Sequence, residues 1–109
     1  MDTSGIELKD TSAQHVAVGE DSLTVDLADG RTIAVPLAWF PRLLHATAAE
    51  RANWRLIGPG EGIHWPDLDE DISVEGLLAG RPSAESSASL ARWIEKREGD
   101  SNARESVTR

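Results

Sequence analysis

The sequence predicts an α+β fold, a small antiparallel sheet (a three-stranded meander plus one or two short strands) with a helix packed on it. Three observations predict it. Over residues 15–37 the apolar side chains alternate, as Val16 and Val18, then Leu23, Val25 and Leu27, then Ile33, Val35 and Leu37, and period two marks strands with one buried face. Asp29-Gly30 falls between the second and third runs, where a tight hairpin turn needs a positive φ that Gly adopts without steric cost and Asp tolerates. Beyond Pro36 the period changes to three and four, through Phe40, Leu43, Leu44, Thr47, Ala48, Ala52 and Trp54, which is the spacing of one helical face.

In chain order, residues 1–14 hold only Ile6 and Leu8 as large aliphatics and are expected to be a loose tail. The domain proper is expected over 15–82. Gly19-Glu20-Asp21-Ser22 supplies the first turn of the meander. A helix of about 40–53 follows, with Pro41 in its first turn, where a missing N–H costs nothing. Two short strands, 55–57 and 63–65, flank the turn 58–62 with its three glycines. Asp71 is the expected N-cap of a short helix 72–79 that Gly80 closes. Ser83 is expected to cap a C-terminal helix over 84–98, with a thin apolar stripe of Leu90, Ala91 and Ile94, and residues 99–109 to form a second loose tail. Leu23, Val25, Leu27, Ile33, Val35, Leu43, Leu44, Ile63 and Trp65 form the expected core.

Composition narrows the function. The chain has 109 residues and no Cys, which removes disulfides, thiolate metal sites and cysteine nucleophiles. Its longest apolar stretch, 33–40, falls far short of the about 20 residues that span a bilayer. Residues 1–14 have neither a basic start nor an apolar core, so the expected compartment is the cytoplasm. With 11 Lys+Arg against 19 Asp+Glu the net charge is -8, which argues against broad phosphate-backbone binding and hence direct nucleic-acid binding.

The string from Asp29 to Gly80 carries a recognisable pattern: D-G-R-x-I-x-V-P-L-x-W-x-P-R-L, a helix with A-T-x-x-E-R, then G-I-H-W-P over Gly62–Pro66 followed by L-D-E-D-I-S over Leu68–Ser73. It resembles the bacterial family catalogued as domain of unknown function 2442. The resemblance covers residues 23–80. It implies an antiparallel sheet with a helix on one face, similar to an N-terminal domain found elsewhere ahead of helix-turn-helix regions. It also implies a gene lying beside a second small protein in a toxin–antitoxin-like arrangement. No catalytic residue comes with it, and within residues 81–109 a helix-turn-helix of ordinary length is not expected.

The residues that attract a chemical reading mostly have a structural one. His64, His45 and the acids Asp67, Asp69, Glu70 and Asp71 match no metal-ligand spacing, and zinc sites need three convergent protein ligands. His64 is expected to hydrogen-bond at a strand end while Trp65 packs. A calcium loop counted from Asp67 would need Gly at position six and a bidentate acid at position twelve, where Ile72 and Leu78 stand. Asp69, Glu70 and Asp71 are instead expected to oppose the positive end of a helix. The G-x-G-x-G string 58–62 lacks the basic residue and following helix of a phosphate loop. No Ser sits in a nucleophile elbow, and Ser83, Ser86, Ser87 and Ser89 have no His nearby to act as a base. No enzyme, metal or cofactor is therefore expected.

What remains points to a partner. Segments alternate in charge, and residues 59–85 hold seven acids and one Arg. Like charges held together repel, and a basic protein would relieve them and dock by complementarity. Of the four Trp, Trp39 and Trp65 are expected in the core, whereas Trp54 and Trp93 sit where a ring can anchor a partner. The expected function is a non-enzymatic protein-binding module, an antitoxin-like partner of a small basic protein encoded nearby, binding through Asp67, Asp69, Glu70, Glu75, Trp54 and Trp93. Gly30, Asp29, His64, Trp65 and Asp71 are expected to act structurally. The alternatives are an accessory domain in transcription, with Arg42, Arg51 and Arg55 of one helix on phosphate, and a metal-dependent enzyme built on His64. A homodimer through the C-terminal helix is the other assembly the sequence allows.

Overall fold

The computed structural model describes residues 10–108, with side chains over 10–99. The expected loose tails therefore fall partly outside the described residues, at 1–9 and 109. The described strands form two antiparallel sheets of three, each a meander in chain order: β1 (Ala13–Val18), β2 (Ser22–Leu27) and β3 (Thr32–Pro36), then β4 (Arg55–Ile57), β5 (Gly62–Trp65) and β6 (Glu70–Ser73). The single extended sheet is thus corrected to two. The α+β class stands.

The first sheet follows its sequence pattern. Leu23, Val25 and Leu27 are buried on β2, opposite Val35 and Ile33 of β3 and Val16 of β1. The 27–31 turn closes with the Leu27 N–H donating to the Arg31 carbonyl, 2.8 Å, and with Gly30 at φ +95°. Asp29 accepts from the Arg31 backbone N–H and Nε at 3.0 and 2.8 Å, and those bonds hold its carboxyl below the usual carboxylate range. β1 begins at Ala13 rather than 15. An irregularity in register between Ala13 and His15 puts both Ala13 and Val16 in the core, since one extra residue reverses the alternation. Of the expected core, Ile33 is only half-buried and Leu44 is 43% exposed.

The expected helix 40–53 is two. After a 3-10 turn over Leu37–Trp39, α1 (Pro41–Leu44) ends at His45, and α2 (Ala48–Ala52) restarts behind Thr47. The Glu50 backbone N–H donates to Thr47 Oγ1 at 3.1 Å while the Thr47 N–H donates to Glu50 Oε1 at 2.9 Å. This reciprocal box starts a new helix. Arg51 then turns back, and its Nε and Nη2 donate to the Leu43 and Leu44 carbonyls at 2.9 Å each, satisfying the end of α1.

The expected cap at Asp71 is also corrected. Ile72 pairs with Ile63 and is buried, so the chain stays extended through Ser73. α3 (Val74–Leu78) starts there, with Ser73 Oγ accepting from the Gly76 N–H at 2.9 Å. Its end is a Schellman pair, in which the Arg81 and Gly80 N–H groups donate to the Gly76 and Leu77 carbonyls and Gly80 stands at φ +75°. Ser83 does not start the last helix. Its N–H donates to the Trp39 carbonyl at 3.0 Å, and α4 (Ser87–Thr108) begins behind Ser86 and runs straight through Gly99.

The two sheets meet at one backbone joint. The Ala13 N–H donates to the Gly60 carbonyl at 2.8 Å. Gly60 has φ +109°, and a Cβ there would lie 2.5 Å from the Ala13 carbonyl oxygen. The shared core gathers Leu23, Val25 and Val35 from one sheet with Ile63, Trp65 and Ile72 from the other, closed by Leu37, Phe40, Leu43, Leu68 and Leu77.

Candidate functional site

The acidic segment 67–75 is dispersed by the strand it enters. Asp67 and Asp69 lie on the turn between β5 and β6, where Asp69 has φ +52°, a region a non-glycine residue seldom occupies. Pleating then parts the next two. Asp71 faces outward opposite His64, whose Nδ1 meets Asp71 Oδ1. Glu70 lies beside Trp65 on the core side, and burial pushes its carboxyl up to about 7 against the opposing pull of Arg42. Glu75, on α3, points away from both and shares a depression with Glu61, Val74 and Leu78. The expectation that Asp69, Glu70 and Asp71 cap a helix fails for the same reason: they are turn and strand.

Asp67, Asp69 and Trp93 do line one depression. Together with Thr47, Glu50 and Leu68 the two acids form one wall of an open groove of about 720 Å³, and α4 forms the other with Ser89, Arg92, Trp93, Lys96 and Arg97. Arg42, rooted on α1, ties the two walls. Its Nε and Nη2 reach Glu85 at 2.9 and 2.6 Å, and Nη1 donates to the Leu68 carbonyl at 2.9 Å. Farther along, Arg97 grips Glu50 with two bonds of 2.8 and 3.1 Å. The Trp93 ring lies between these arginines, with guanidinium carbons 5.1 and 4.6 Å from its centroid, a cation–π arrangement at each contact. The pairing holds Glu85 and Glu50 below the usual carboxylate range, and Glu85 raises Arg42. Asp67 accepts from Asn53 Nδ2 at 3.0 Å.

Trp54 stands elsewhere, half-buried, with its ring edge-on to His15 at 5.7 Å. Trp65 is fully buried and its indole N–H donates to the Arg51 carbonyl at 3.0 Å, while Trp39 is only partly buried. The arginines assigned to phosphate do not share a helix. Arg42 and Arg51 are engaged by the chain's own carbonyls and Glu85, and Arg55 lies on β4 opposite His64. Among the described residues no three His, Asp or Glu side chains are grouped to hold a metal ion, and no helix is long and apolar enough to cross a membrane.

Sequence reasoning missed Glu50, Glu85 and Arg97. The Thr47-x-x-Glu50 spacing was a usable signal for Glu50, because it is the capping-box pattern. Nothing local marks the Arg42 and Glu85 pair, 43 positions apart.

With this geometry in place, the sequence profile described as protein of unknown function DUF2442 matches residues 13–83. The chain belongs to the DUF2442 family. A crystal structure of a protein of unknown function from Rhodospirillum rubrum is 30% identical, with a TM-score of 0.61 over 69% of this chain and 93% of that one. A solution NMR structure of an uncharacterised protein from Chromobacterium violaceum is 22% identical, with a TM-score of 0.60 over 82% of each chain, and is similar in fold. No curated protein matches. The DUF2442 match ends at residue 83, so α4 and its half of the groove lie beyond it.

Proposed function

We propose that this DUF2442 chain is a non-enzymatic protein-binding module whose acidic surface beside α3 receives a basic polypeptide, in its strongest form a small basic protein encoded next to it, to which it would stand as an antitoxin-like partner. One observation carries the reading. Beside α3, Glu61 and Glu75 share a depression of about 450 Å³ with Val74 and the 42% exposed Leu78, and no Lys or Arg among the described residues lines it. A lysine or arginine of a partner can lay its methylene stem on Leu78 and set its charged head between the carboxylates. Such contacts act mainly on association rate and choice of partner.

The test is co-expression with the neighbouring reading frame and binding kinetics on the purified pair. A complex is expected whose on-rate falls about tenfold or more in Glu61→Gln/Glu75→Gln, and also with rising salt. No complex, or rates that ignore both changes, would overturn the proposal.

A further inference from the structure

We propose, resting on the protein-binding reading above, that α4 is a built-in stand-in for a partner: its Arg92-Trp93-Lys96-Arg97 face occupies the place where a basic helix bearing an aromatic ring docks on the acidic wall of Glu50, Asp67 and Asp69. The helix is laid against that wall rather than packed into it. No side chain of α4 over residues 87–99 is fully buried, and Leu90, Trp93 and Ile94 remain partly exposed. Two ion pairs and one ring hold it: Arg42 to Glu85 just ahead of the helix, Arg97 to Glu50, and Trp93, which packs against the edge of the core and carries both guanidiniums. The groove of about 720 Å³ stays open between the walls. Arg92 and Lys96 line it together with Asp67 and Asp69, and neither forms an ion pair with an acid within residues 10–99.

A helix fixed in this way can leave. The lead-in 81–86 has no regular secondary structure and is tied to the body by the Ser83 N–H on the Trp39 carbonyl. Two ion pairs and one partly exposed ring are a small contact, and a segment held by so few buried groups opens at lower cost than the core. Departure of α4 frees Glu50 from Arg97 and clears the groove beside the exposed Asp67 and Asp69, which makes a surface suited to a cationic helix with one ring between its arginines. The chain's own helix supplies the description of that ligand. A partner that matches it must outcompete an intramolecular copy, which lowers its apparent affinity by the fraction of chains that are open.

The probe is a synthetic peptide of this chain's residues 86–99, titrated by fluorescence anisotropy onto the full chain at low salt. Glu85→Gln/Arg97→Gln loosens α4 while leaving every acid of the wall and Arg42 in place. This variant is expected to bind the peptide at least tenfold more tightly than the wild type, and a peptide with Trp93→Ala and Lys96→Gln is expected to bind it at least tenfold more weakly. Equal affinity for wild type and variant would overturn the proposal. Should the variant misfold, hydrogen exchange on the wild type decides. Amides over 87–99 are expected to exchange at least tenfold faster than those of β2, and equal protection of the two would overturn the proposal. Because the peptide replaces any natural partner, failure to find a partner leaves this result standing. Glu61→Gln/Glu75→Gln, which tests the earlier proposal, should leave peptide affinity unchanged.

Discussion

Both three-stranded sheets are antiparallel meanders in chain order, but they carry different loads. In the first, β2 buries Leu23, Val25 and Leu27 in strict alternation and its outward positions include Thr24 and Asp26. In the second, β4 buries nothing, Ile57 is 39% exposed, and β6 brings a glutamate onto the core side. The first sheet holds the domain together. The second tolerates exposed aliphatics, a half-buried carboxyl and a positive φ at Asp69, and strain or exposure of that kind persists only where the surroundings hold it in place. What the difference teaches is that the unusual features of this chain lie on the turns and strand edges of the second sheet, over a foundation that the first sheet supplies.

The sharpest way to break the contrast is Val35→Asp on β3. Val35 is 7% exposed, burying such a side chain contributes about 1.5 to 3 kcal/mol, and an unpaired charge in its place costs more. The variant should be unfolded or nearly so by far-UV circular dichroism at 25 °C, since small domains have only about 5 to 15 kcal/mol in all. Next is the joint between the sheets. Gly60→Ala meets both a φ of +109° and the Ala13 carbonyl, and the conformation alone costs about 1 to 3 kcal/mol. A urea midpoint unchanged from the wild type would disprove that the two sheets depend on this contact.

Within the second sheet Glu70 predicts a pH dependence of defined sign. Its carboxyl titrates near 4.5 when unfolded and about 7 when folded, so the native state holds the extra proton between those values. Stability from this group is therefore lost as pH rises through that window. Glu70→Gln should melt with the wild type at pH 4 and above it at pH 8, with about 4 to 8 °C for each kcal/mol relieved. Equal melting temperatures at both pH values would show that Glu70 is hydrated. A smaller loss, about 1 kcal/mol, is expected for Thr47→Ala, which removes the cap that restarts α2, and thermal unfolding would measure it. Smallest is Glu61→Gln/Glu75→Gln, within about 0.5 kcal/mol of the wild type because both side chains are exposed. That near-neutrality is what makes the pair a clean probe of partner binding.

The sequence by itself determined the meander, its Asp29-Gly30 turn and most of the core, because alternation with period two and a glycine at positive φ are local properties that tertiary contacts only reinforce. The short strands around 58–62 and the Gly80 stop were equally local. Tertiary structure decided the rest. Whether β4, β5 and β6 join the first sheet or form their own depends on how Ile63 and Ile72 pack in the core they share with Val25. Neither strand records that choice in its own residues. Pleating in β6 set Glu70 inward and Asp71 outward, so a run that reads as one acidic patch became three surfaces. The groove rests on Arg42 with Glu85 and Glu50 with Arg97, pairs separated by 43 and 47 positions. Their charges carry no periodicity and find one another only after the core has placed α1, α2 and the start of α4.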